Sequence, residues 1–345
     1  YAGDTATTVT IRDLSGLTNN SSWIEYCAAV FDSAGLTEAI QAQQAKIADL
    51  GGDPDPHGIA VYNRLDFAAS MELSGVHTLE GFGNYWIQSY WDDAALEVRP
   101  VVLTVAEGAF LTVGHENTLY VSEGVLLNQG TVVTTEQVPD VAGSGVVEVW
   151  SSGTFTNNGV VINDGVFSAQ DEYKDDGSGT TGLCAVIDGS NAGSITGLQH
   201  IAYVRDWAGL AAAAGREDGG GKYYARIEIR SESDIVLEED LTIDASLFVE
   251  WDSGIEVPEG TTLTLTDSHE MHHNGDIWVY GTLITEADYS WYNFGYTQVG
   301  TGSEGSALFT NGGSFFNRGR LSVFSGGTFH NLASGYYDGD APDAS

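Results

Sequence analysis

The chain has 345 residues, 42% of them hydrophobic, which admits two globular domains of ordinary size and excludes a disordered polymer, while 44 Gly with only 6 Pro exclude a collagen-like one. Against 49 Asp and Glu stand 12 Lys and Arg, a net charge of −37 that repels nucleic-acid phosphate and anionic lipid heads. Nucleic acid is therefore not expected as a partner, and no apolar run is long enough for membrane insertion.

Acid-rich, Lys-poor surfaces also suit a halophile, and an elongated shape spreads like charges apart. The opening residues YAGDTATTV do not read as a signal peptide, and the chain is expected to be a piece of something longer. Cys27 and Cys184 are compatible with a disulfide or with two buried thiols.

The first predicted element is a helix at about 33–50. Asp32 or Ser33 caps it, Leu36, Ile40, Ile47 and Leu50 share a face, and Gly51-Gly52 stop it. Period-two strands follow at Ile59/Val61, Leu65/Phe67 and Met71/Leu73. Then Leu-x-Val occurs at residues 103, 111 and 119, an eight-residue beat of short strand and polar turn that marks a repeat architecture. Gly, Asn and Asp fill the corners, as in Asn128-Gln129-Gly130, Asn158-Gly159, Asn274-Gly275 and Asn311-Gly312; these residues tolerate positive φ.

The polar stretch DEYKDDGSG, residues 171–179, reads as a joint between two similar copies whose loops differ in length. Asp206 caps a second helix at about 206–215. Strands at Ile227/Ile229, Ile235/Leu237 and Leu241/Ile243 answer to the three of the first half, and the beat returns through Leu247/Val249, Ile255/Val257 and Leu263/Leu265. Asp32 matches Asp206 and Gly153-Thr154-Phe155 matches Gly327-Thr328-Phe329, both at an offset of 174. Val105-x-Glu107-Gly108-x-x-Leu111-Thr112 matches Val257-x-Glu259-Gly260-x-x-Leu263-Thr264 at 152.

The expected fold is all-β, a β-solenoid of two tandem modules, 1–170 and 185–345, joined by 171–184, each with a short N-terminal capping helix over its open end. The rival is an array of antiparallel sandwiches, since Asn-Gly is also a hairpin signal. Asp338 to Ser345 read as the start of a linker.

The pattern of capped helix, I-x-[IV], LT[IV], V-x-EG-x-x-LT, G-x-[LV]-x-V and GTF-x-N resembles the right-handed parallel β-helix repeats, of pectin-lyase-like type, of large bacterial surface proteins. The resemblance implies a secreted or wall-displayed protein whose solenoid serves as stalk, adhesin or carbohydrate-facing scaffold. Some proteins of this fold are polysaccharide lyases or glycosidases, and fold alone does not choose between these roles.

His269-Glu270-Met271-His272-His273 matches H-E-x-x-H, but the motif binds zinc from one face of a helix, and this stretch is expected to be a polar turn. His269, His272 and His273 then remain candidates only for a surface metal site. Asp92 and Asp93 beside Trp91 are the local candidates for paired carboxylates, with Asp175 and Asp176 next. The Asn-Thr-Asp and Arg-x-Lys strings expected of β-helix glycosidases are missing, so no catalytic residue is assigned.

No cofactor is expected; Asp171, Asp175, Asp176, Asp338 and Asp340 offer oxygen ligands for calcium, without an EF-hand loop. Two aromatic clusters stand where one half has length the other lacks: Tyr85, Trp86, Tyr90 and Trp91, then Tyr289, Trp291, Tyr292, Phe294 and Tyr296. Both are expected in loops, as flat rings for sugar or protein contact or as a satellite core.

The sequence thus leads to a non-catalytic extracellular module at the cell surface or wall. Its expected partners are glycan, a host or neighbour-cell protein, and adjoining domains of a longer chain. The alternatives are a carbohydrate-active enzyme and a structural subunit of a filament or surface layer.

Overall fold

The computed structural model describes residues 27–49, 64–92, 96–137, 143–173, 185–188, 195–218, 221–301, 306–339 and 342–344. Its large sheets are all parallel, and most neighbouring strands in them are three or more apart in sequence order, the topology of a parallel β-solenoid. Antiparallel pairing among the described residues is confined to two small hairpins, so the sandwich alternative falls.

The reason is local. In Val102–Val105, Phe110–Val113 and Thr118–Val121 alternate residues turn inward, and Leu103, Val105, Leu111, Val113, Leu119 and Val121 are fully buried. A four-residue strand with one apolar edge cannot bury that edge alone. Three such strands, separated by corners, make a triangular coil, and the next coil hydrogen-bonds onto it. The Leu-x-Val beat is therefore the step from face to face around a coil, because Leu103, Leu111 and Leu119 lie in three different sheets. The step from coil to coil is longer: Leu247 pairs with Met271, 24 residues on, and Met271 with Trp291, 20 residues on.

Contacts divide the chain into two units, residues 1–170 with 183–199 and residues 171–182 with 200–345. In the first, the front face contains Arg64–Phe67, Asn84–Ile87, Thr118–Val121 and Val146–Val149. Its second face contains Met71–Leu73, Val102–Val105, Val125–Asn128 and Thr154–Asn157, and its third runs from Val76–Leu79 to Val160–Asn163.

In the second unit the front face contains Arg226–Ile229, Ser246–Val249, Glu270–His273, Ser290–Asn293, Ser314–Asn317 and Tyr336–Gly339. Each unit has its own apolar core: Phe155 and Phe167 are fully buried in the first, as are Trp291, Phe309 and Phe315 in the second.

Helix α1 spans Ser33–Asp49 and α2 spans Trp207–Gly215. Both caps are aspartate: Asp32 Oδ1 accepts from the Gly35 N–H and Asp206 Oδ1 from the Gly209 N–H, each at 2.7 Å. Each helix packs across the first full coil of its unit, α1 on Met71–Leu73 and α2 on Arg226–Ile229 and Leu241–Ile243. Leu36 and Leu210 are the fully buried anchors.

Several expectations are corrected. Arg64–Phe67 corresponds to Arg226–Ile229 as front-face strand of the first full coil, so the proposed strand equivalence is shifted by one. The Val-x-Glu-Gly match does hold in place. Gly108 (φ 77°) and Gly260 (φ 86°) turn the same corner, between second and third faces of the second coil. The Gly-Thr-Phe match does not, because Thr154–Asn157 lies on a second face and Gly327–Asn331 on a third.

The Asn-Gly corners use glycine for closeness, not for positive φ. A Cβ on Gly275 would stand 1.9 Å from the Ser253 carbonyl oxygen, and one on Gly295 would stand 2.0 Å from that of Gly275. The preceding asparagines and their like form inner ladders: Asn128 donates to Asn157 at 2.8 Å, Asn293 to Asn317 at 2.7 Å and Asn311 to Asn331 at 2.6 Å. The buried amide N–H groups of Asn128, Asn293 and Asn311 are thereby satisfied from coil to coil, each bond contributing about 1 kcal/mol.

The expected linker at 338–345 carries strands. Tyr336–Gly339 pairs with Ser314–Asn317, and Asp343–Ala344 with Ser322 and Val323. The expected joint begins as strand too, since Val166–Glu172 includes Asp171 and Glu172. Cys184 and residues 174–184 lie outside the described residues.

Candidate functional site

Adjacent residues of a strand face opposite sides, and that fact sorts the aromatic clusters. Tyr85 sits in Asn84–Ile87, and Trp291 in Ser290–Asn293, both fully buried in strands rather than in loops. Tyr289 is fully buried just before its strand, where burial and the Glu270 charge raise its phenol above the ordinary tyrosine range. The Tyr85 hydroxyl donates to the Glu80 carbonyl at 2.7 Å. These three are core. Their neighbours Trp86 and Tyr292 point outward, as does Tyr296 on the second face of its unit.

Outward rings in the second unit stack on one another. Phe248, His272, Tyr292 and Phe316 occupy one register column of the front face. Their centroids are 4.9, 4.5 and 4.8 Å apart with interplanar angles of 8°, 19° and 9°. The Arg226 guanidinium covers Phe248 at 4.9 Å, and Glu228 binds both Arg226 and Arg230. Ring faces in such a column are occupied by other rings, so Tyr292 offers a ligand only an edge. Tyr296 donates to Gln298 at 3.0 Å and packs edge-on against Trp278.

The H-E-x-x-H segment belongs to this column. Glu270–His273 is a strand rather than the expected turn, because Met271 and His273 alternate inward with the core. His272 lies in the ring stack, His273 is fully buried, and His269 meets Asp244 at 3.0 Å. Burial lowers the His273 pKa to about 4, partly countered by its contact with the Gly275 carbonyl. Opposite faces of one strand cannot converge on one ion. Among the described residues no group of three or more His, Cys, Asp or Glu could hold a metal.

Of the calcium candidates, Asp171 is buried against Arg216 and the Tyr224 hydroxyl, and Asp338 pairs with Arg318. Asp175, Asp176 and Asp340 lie outside the described residues, as does Asp93.

The first unit differs at the same face. Asp66, Trp86, Tyr120 and Glu148 form its outward column. Arg64 lies 4.6 Å over Trp86 and binds Asp66, while Tyr120 stacks on Trp86 at 4.3 Å and 22°. Burial, then the Glu148 charge, raises the Tyr120 phenol. Trp150 packs edge-on against both rings, its centroid 5.1 Å from that of Trp86 at 82° and 5.9 Å from that of Tyr120 at 77°, with its indole N–H donating to Glu148 Oε1 at 2.9 Å.

Beside it, at the corner between front and second faces, is a cleft of about 490 Å³ lined by Ser89, Val98, Pro100, Glu123, Gly124, Val125, Ser152 and Thr154. One wall is the hairpin Ser89–Asp92 and Glu97–Pro100, which holds Tyr90, Trp91 and Asp92. Asp92 pairs with Glu97 along the hairpin backbone, and Tyr90 is exposed. Ser89 donates to Glu123 at 2.5 Å.

The sequence pointed to the hairpin and to Trp86. It missed Tyr120, Glu123, Glu148, Trp150 and Ser152, which register alone assembles. The available signal was the long step from Tyr85 to its partner Leu119, where Leu65 to Tyr85 takes 20 residues.

Comparison with known proteins finds no matching family model, no matching curated protein and no matching solved structure.

Proposed function

We propose that this chain is a non-catalytic surface scaffold that binds glycan at the Trp150 corner of its first unit. The observation that carries the reading is the corner at 150–153. It supplies a partly buried indole oriented by Glu148 and packed edge-on against Trp86 and Tyr120, and, through Ser152, one wall of a hydroxyl-lined cleft. An aromatic face beside hydroxyls is the combination sugars bind, the ring packing on apolar C–H faces and the hydroxyls exchanging hydrogen bonds.

Binding is favoured over hydrolysis because Glu123 is the lone carboxylate among the cleft-lining residues, whereas glycoside hydrolysis uses a facing pair. A wall-displayed adhesin or stalk is consistent with the charge of −37, which keeps a displayed scaffold soluble.

The test is a glycan array probed with the intact chain and with Trp150→Ala. The expected outcome is retention of a defined set of glycans and at least tenfold weaker retention by the variant. A blank array, or equal retention by both proteins, overturns the proposal.

A further inference from the structure

Resting on that reading, the geometry points to the class of glycan: we infer that the cleft takes an uncharged, linear, extended oligosaccharide laid along the solenoid axis. The lining residues come from three consecutive coils. Ser89 follows Asn84–Ile87, Glu123 and Gly124 follow Thr118–Val121, and Ser152 follows Val146–Val149; these three strands are hydrogen-bonded neighbours. The cleft therefore runs across the strands, along the axis, over two coil spacings, or about 10 Å.

Parallel strands lie ~4.8 Å apart. That is close to the advance per residue of an extended β-1,4-linked glycan. Successive sugars then meet the same corner on successive coils, at Ser89, Glu123 and Ser152. A ligand crossing the axis instead would leave the corner after one sugar.

The hairpin creates the site. It is inserted between the front and second faces of one coil, with Ser89 paired to Pro100 at its base, and brings Val98 and Pro100 against the hydroxyl side of the cleft. Val98, Pro100 and Val125 give apolar contact for the C–H faces of sugars, while Ser89, Ser152 and Thr154 supply hydroxyls.

Charge sets the remaining specificity. Glu123 is the only ionisable group among the lining residues, and its partner in the cleft is the neutral Ser89 hydroxyl. A uronate carboxylate placed there would face a like charge within a chain already at −37.

Calorimetric titration of the intact chain with cello-, manno- and xylo-oligosaccharides of one to six residues, and with oligogalacturonates, tests this. For at least one neutral series, affinity is expected to rise at least tenfold from one residue to three and to change less than about twofold from three to six. Oligogalacturonates should bind at least tenfold more weakly than the best neutral series, and Glu123→Gln should narrow that gap at least fivefold. Ser152→Trp, at an exposed position, should weaken trimer binding at least tenfold with the thermal midpoint unmoved.

A monosaccharide that binds as well as the hexamer, a uronate that binds more tightly than the neutral series, or failure of all three neutral series while the array retains other glycans overturns this inference alone. A blank array overturns the glycan reading beneath it.

Discussion

The front faces of the two units carry aromatic side chains in the same outward column, yet the two columns do different things. In the second unit, rings on four consecutive coils lie within 5 Å of one another, face on face, so the column stiffens the sheet. In the first, the stack stops at Trp86 and Tyr120; Glu148 takes the next position, and a hairpin enters the coil. Regular coils turn aromatic surface toward itself. The interrupted face turns one ring, Trp150, edge-on to the others and leaves a cleft for something else.

The sharpest way to break the second column is from beneath. Trp291 is fully buried, with Phe309 5.1 Å and Phe315 5.7 Å from its ring, so Trp291→Ala should cost about 3–5 kcal/mol. Among the described residues its indole N–H has no hydrogen-bond partner, so Trp291→Phe should cost less than half as much. Urea denaturation of both variants measures this, and equal losses would contradict the account.

Acid should act on the same unit next. His273 titrates at about 4 in the fold against an ordinary 6.5, so its neutral form is favoured by folding and the unfolded chain takes up the proton first. Its contribution is complete above pH 6.5 and is lost as pH falls toward 4, amounting to about 3 kcal/mol at most. His273→Asn, which matches Asn293 and Asn317 in the same register column, should flatten that part of the stability–pH curve. An unchanged curve would assign the acid loss elsewhere.

The two kinds of glycine are separable. Gly275→Ala places a Cβ against backbone and should cost about 2 kcal/mol by overpacking. Gly108→Ala has open space but a φ of 77°, and should cost about 1 kcal/mol. Thermal midpoints in the reverse order would undo the closeness argument.

The smallest stability effect belongs to the binding side. Tyr292→Ala should cost about 1–3 kcal/mol through two lost stacks, while Trp150→Ala should cost about 1 kcal/mol because that partly buried ring loses its edge-on contacts with Trp86 and Tyr120. If Trp150→Ala proves the more damaging of the two, the ring is a structural element of the first unit.

Much of the fold was legible because each short strand alternates: Leu103, Leu111 and Leu119 announce inward edges whatever the register. The Asp32 and Asp206 caps were legible too, being strictly local. Register was not. Tyr85 and Trp86 look like one cluster in sequence, yet one is core and the other surface, since strand neighbours point apart. Asn274-Gly275 looked like a positive-φ turn because a sequence shows turn chemistry but not the carbonyl of the coil beneath. The cleft was the least legible part. Ser89 and Glu123 meet from 34 positions apart, a distance fixed by the length of an insertion rather than by any motif.

The base of that insertion has a consequence for how such a protein changes over generations. Ser89 and Pro100 face each other in register, so the coil closes at the same two residues whatever lies between them. Segments of other length and composition can be exchanged there without moving a strand above or below. Ligand choice can then drift while the scaffold keeps its shape, and selection acts on the two almost separately.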